Sequence, residues 1–279
     1  MDAASHFEFT GEQKVNSLGV TLGRIRATRD LQGGSVKAGT LGGWLEPGLL
    51  ADGTARLRDA AWVADEAELF GQAHAREFAN IWNHAQVYGD AHVFGTAFVS
   101  CDARVFDDAV IRGEAEVNGN AVISGYACVE NGEVQLDAAV GGAAMVTGRA
   151  VVGDRAVIDG EARVADRASV TGSSRVGGTA RITGSARIRG DAVITQPNHV
   201  LIVDPVGVHA ETLVFYRRAN GLPGISLGPR SLSTLSDLEA VVGQAEGAAL
   251  LALCQAAASR WAEDFPVPDR FDIDDDPMG

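Results

Sequence analysis

Residues 85–125 read AQVYGDAHVFGTAFVSCDARVFDDAVIRGEAEVNGNAVISG. In blocks of six the same phrase returns: Ala, any residue, Val or Ile, any residue, often Gly or Asp, any residue. Working outward, a small residue recurs at every sixth position from Ala55 to Ala127, and a branched aliphatic follows two residues after nearly every one. The phase slips by one near Asn131 and resumes at Ala138, running to Ala192. Residues two apart on a strand share a face, so each Ala-x-Val directs both side chains inward. The Gly or Asp two residues later tolerates the left-handed conformation a tight corner needs. Such short strands have no stability alone. Three hexads closing a triangular coil place residues 18 apart on neighbouring coils about 4.8 Å apart. The expectation is a β-solenoid of roughly eight coils, with a tightened corner at the slip.

The hexads resemble those of the left-handed parallel β-helix proteins, whose best-known members are acyl- and acetyltransferases; left-handedness comes with that resemblance. More narrowly, VKAGTLGGWLE (residues 36–46) resembles the entry segment of bacterial and phage hexapeptide-repeat proteins usually labelled transferases. DPVGVHAETLVFYRRANG (204–221) and STLSDLEAVV (233–242) resemble the closing module of related members. The expected fold class is therefore an all-β solenoid with an N-terminal cap and a small C-terminal α+β module. Its divisions are 1–50 for the cap, 51–196 for the β-helix, 197–265 for the module and 266–279 for an acidic disordered tail.

A solenoid has open ends that must be capped. FEFT and LGRIRAT read as strands, Gly42-Gly43 as a turn, and Trp44 as a lid on the first coil. At the other end, ETLVFYRRANGLPGISL reads as a hairpin turning at Asn220-Gly221. Thr234 and Asp237 form a helix-capping pattern, and Leu250, Cys254, Ala257 and Trp261 share one helical face.

Composition narrows the function. Of the net charge of −14, residues 263–276 contribute seven acids against Arg270 alone. Acids outnumber bases about threefold over 51–145, whereas eight arginines face five acids over 146–195. Direct nucleic-acid binding requires a basic surface and is not expected. No apolar run reaches the length of a membrane span, the start lacks the pattern of a signal peptide, and the expected location is the cytoplasm. Three cysteines without metal-ligand spacing suggest neither a disulfide framework nor a metal site.

Two sets of residues carry the functional readings. The aromatics Phe70, Tyr88 and Phe106 fall 18 apart on one outer face, and Trp62, Trp82 and Phe98 share another. Large rigid rings on flat sheets make good protein interfaces; cover by the chain's own termini and contact with another chain are both open. The first reading is therefore a non-catalytic scaffold, presenting faces for self-association or to a protein partner, without a cofactor. The second follows the resemblance: an acyltransferase using acyl-coenzyme A, with His74, His92 or His84 as general base and Arg163 and Arg181 holding the cofactor's phosphates. It implies a homo-oligomer, a trimer in that family. A third reading is an acidic decoy that inhibits a nucleic-acid-handling protein.

Overall fold

A computed structural model describes residues 5–261, which form two compact bodies, one running to Asp137 and the other beginning at Ala138. The expected acidic tail lies outside the described residues. Both bodies are parallel β-solenoids, together of about seven turns rather than eight. The first hexads explain the difference: Leu57 makes only an isolated bridge to Ala75, and regular pairing starts at Trp62.

In the first body three walls recur. The first stacks Glu68–Leu69, Gln86–Val87, Arg104–Val105 and Val122–Ile123. The second stacks Trp62–Val63, Asn80–Ile81, Phe98–Val99, Glu116–Val117 and Glu133–Val134. The third stacks His74–Ala75, His92–Val93, Val110–Arg112 and Cys128–Glu130. Partners are 18 apart, as the hexads require, until Glu116 meets Glu133 at 17. Every inward Ala and Val or Ile of these coils, such as Ala85, Val87, Ala91 and Val93, is fully buried. That packing of small corner and branched mid-wall residues is the core, and burial of the branched side chains is its main stabilisation.

The phase slip is a corner one residue shorter. Asn131 adopts φ 58° and its Oδ1 accepts the Glu114 N–H at 2.8 Å. A side chain thus supplies the acceptor that a backbone carbonyl supplies at the regular corners.

The N-terminal cap is a three-stranded extension of the first wall. β1 (Phe7–Val15) pairs antiparallel with β2 (Thr21–Ala27), β2 antiparallel with β3 (Leu41–Leu45), and β3 parallel with Glu68–Leu69. Gly42 and Gly43 are not a turn; they lie inside β3. A Cβ on Gly42 would stand 2.6 Å from Ile25 and 2.7 Å from Trp62, and one on Gly43 would stand 2.5 Å from the Ala67 carbonyl. The pair is there so that β3 can press onto the first coil. Trp44 is buried on this cap, its Nε1 donating to Glu66 at 2.8 Å, with Lys14 and Arg24 over its ring. Arg56 closes the coil's open end: buried, it donates to the carbonyls of Glu46 and Gly71, both at 2.6 Å.

The second body repeats the pattern through Arg163–Val164 on Arg181–Ile182 and Ser169–Val170 on Arg187–Ile188. A four-stranded antiparallel sheet closes it (Val200–Val206, Glu211–Arg217, Pro223–Leu227, Arg230–Leu232). The expected hairpin turns through Gly221, at φ 77°. One sheet face meets the last coil: Ser226 Oγ donates to the Arg187 carbonyl at 2.6 Å and Tyr216 OH to that of Arg189 at 3.3 Å. The other face packs Leu213, Phe215 and Leu227 against α1 (Ser236–Val242) and α2 (Gln244–Trp261). Asp237 accepts the Thr234 N–H at 2.9 Å, the half of the capping box that orders this helix start. Leu250, Cys254 and Trp261 are the buried face of α2, and Trp261 stacks on Phe215 at 4.9 Å.

Candidate functional site

The third wall of the first body carries the histidines. His74 and His92 are register partners, and their rings lie 4.1 Å apart at 44°. The next outward column holds Arg76 and Phe94, the guanidinium resting 4.2 Å above the ring. Arg76 is also paired with Glu77 at 3.0 Å. Burial, then the charges of His92, Arg58 and Arg76, pushes the pKa of His74 down to about 4, with Asp52 acting weakly against them. His92 is lowered too, by burial and Arg76, against Asp90 and Asp108. Both imidazoles are therefore neutral at pH 7.

A neutral imidazole can accept a proton, but a general base also needs a group that orients it. Among the described residues no carboxylate lies within ion-pair distance of His74 or His92. His84 does have one, Asp102, at 3.8 Å across an exposed corner. That distance exceeds a hydrogen bond. The structure thus joins His74 to His92 and places His84 elsewhere, beside its acid.

The aromatic residues divide into covered and open sets. Phe70, Tyr88 and Phe106 form one continuous stack, with centroids 5.0 and 5.1 Å apart and planes 4° and 8° from parallel. Phe70 is buried against Leu22 and Trp44, and Phe106 is buried as well. On the second wall Trp62 is only 1% exposed, because β3 lies on it. At Phe70 and Trp62 the chain's own N-terminal segment supplies the cover, one of the two alternatives the sequence leaves open.

What stays open is the next row. Trp82 is 37% exposed, Phe98 is half-buried, and their rings lie 5.9 Å apart. Asn80, the register partner of Phe98, accepts from Trp82 Nε1 at 3.3 Å and from Gln32 Nε2 at 3.0 Å. Phe78, at the corner two residues before Asn80, is 54% exposed. Phe78 had no place in the sequence reading, although it stands immediately before Ala79, an outward position of the hexad. Glu114, Glu116 and Glu133 follow the patch along the same wall.

In the second body Arg163 and Arg181 are register partners, both exposed, beside a shallow hollow of about 290 Å³ that Glu161 also lines. Arg149 and Arg167 border another hollow of about 460 Å³ at the following corner. Among the described residues no group of three or more His, Cys, Asp or Glu is placed to hold a metal ion. All three cysteines are free, and burial pushes the Cys254 thiol up to about 11. No helix among the described residues is long and apolar enough to cross a membrane. No protein-family model matches the chain, and no curated protein matches it.

Proposed function

We propose that the protein is a non-catalytic β-solenoid scaffold of the left-handed hexapeptide-repeat type, which self-associates through the open part of its second wall. The observation that carries this reading is the open Trp82–Phe98 pair on a rigid, regularly bonded sheet, with Phe78 exposed at the preceding corner. Rings held by such a wall bury large area with little loss of freedom. The acidic row of Glu114, Glu116 and Glu133 calls for a basic rim on the partner surface, and the exposed arginines of the second body provide one on a second copy. Light scattering on the full chain tests it. The wild type is expected to be oligomeric, and the double variant Phe78→Ser, Trp82→Ala monomeric with an unchanged Tm. A monomeric wild type, or an oligomer indifferent to the substitutions, removes the reading.

The acyltransferase reading has one supporting observation, the neutral His74–His92 pair. It predicts saturable binding of acyl-coenzyme A that is lost on replacing Arg163 and Arg181. Calorimetry with acetyl-coenzyme A distinguishes it from the scaffold, which shows no heat of binding.

A further inference from the structure

We infer that the cleft between the N-terminal segment and the first coil of the first body binds a small molecule through a carboxylate or phosphate group held by Arg29 and Arg58. The cleft measures about 370 Å³ and is lined by Ser5, His6, Arg29, Leu57, Arg58 and Asp59, a size typical of small-ligand sites. Neither guanidinium has a carboxylate within ion-pair distance among the described residues. Arg58 is partly buried on the cleft wall, where fewer waters compete for its guanidinium.

The neighbouring acids are already engaged. Asp59 accepts the Glu77 N–H at 3.0 Å, and Asp52 accepts from Thr54 N at 2.8 Å and Oγ1 at 2.7 Å. His6 lies 3.0 Å from the Ala61 carbonyl, which can only accept, so Nε2 carries the proton. Burial lowers its pKa, and the neutral ring keeps Nδ1 as an acceptor for a hydroxyl on the ligand. Two guanidiniums against one lining carboxylate leave the cleft positive, and the paired fork geometry of arginine suits an oxyanion.

Arg58 gives the site a built-in reporter, since its charge also bears on His74. An anion in the cleft offsets that charge and raises the pKa of His74. The experiment titrates the full chain with inorganic phosphate and, separately, with acetate at constant ionic strength, by calorimetry and by NMR of the His74 imidazole. Saturable binding of one probe, with an upward shift of the His74 titration, supports the site and names the group recognised. Arg29→Gln and Arg58→Gln should each weaken binding about tenfold, and Arg58→Lys should retain part of it. Should Arg58→Gln fail to fold, Arg29→Gln alone decides, because Arg29 is exposed. Absence of saturable binding by either probe, or binding that survives the Arg29 substitution, overturns the inference. Either result leaves the self-association reading standing or falling on its own test.

Discussion

His74 and His92 occupy the same outward position on successive coils, and burial together with the neighbouring His92 keeps His74 from carrying a charge. The folded pKa of His74 is about 4 against an ordinary 6.5, so between those values the unfolded chain binds the additional proton. Stability contributed by this pair is complete above about pH 6.5 and declines as the pH falls towards 4. Thermal unfolding followed from pH 7.5 to 4 should show Tm dropping through that window. His74→Gln should flatten the drop, since it removes the group whose pKa is pushed down to about 4. An equal drop in the variant would assign the acid sensitivity elsewhere.

Gly43→Ala should destabilise the first body by about 1–3 kcal/mol. The new methyl would stand 2.5 Å from the Ala67 carbonyl and 2.8 Å from Val63, neither of which can move without lifting β3 from the coil. Urea denaturation measures the loss. Fluorescence of the buried Trp44 and Trp62 should report it locally.

Two corner glycines separate backbone strain from crowding. Gly95 and Gly184 both have positive φ, 80° and 67°. A Cβ on Gly95 would meet backbone of the next coil at Gly113, at 2.7 Å, whereas one on Gly184 would meet nothing within 4 Å. Gly184→Ala should cost about 1 kcal/mol for the left-handed conformation alone. Gly95→Ala should cost about 1–3 kcal/mol more. Matched chemical denaturation curves would show the order.

The short corner rests on one amide oxygen. Asn131→Gly keeps the φ of 58° accessible but leaves the Glu114 N–H without its acceptor, at a cost of about 1 kcal/mol. Asn131→Asp supplies the acceptor again and should recover most of it. Asn131→Ala should be worst, because it adds backbone strain to the lost bond. Hydrogen exchange at Glu114 gives the local readout.

The solenoid was legible because its side chains repeat at the period of its geometry, and no long-range guess was needed to align Ala85 with Ala103. The slip at Asn131 was visible as a break in phase, yet the bond that replaces a residue there depends on a rotamer. Gly42-Gly43 misled for a physical reason: glycine serves turns and close approach alike, and only the position of Trp62 tells which. The histidine pair was foreseen from its spacing of 18. Its lowered pKa was not, because Arg58 comes from the coil end and burial depends on the columns alongside. The cleft at Arg29 and Arg58 joins segments of different architecture, so no repeat could announce it.

The antiparallel strands β1 to β3 have a further effect at the start of the first body. A stack of parallel coils can in principle accept another coil indefinitely, and an uncovered terminus would seed fibrils. Here only the first wall continues, through β3, antiparallel β2 and β1, and Trp62 on the second wall is already sealed. Another molecule's coil would meet a lone sheet and a covered core there in place of three open walls, which opposes end-on growth at this end.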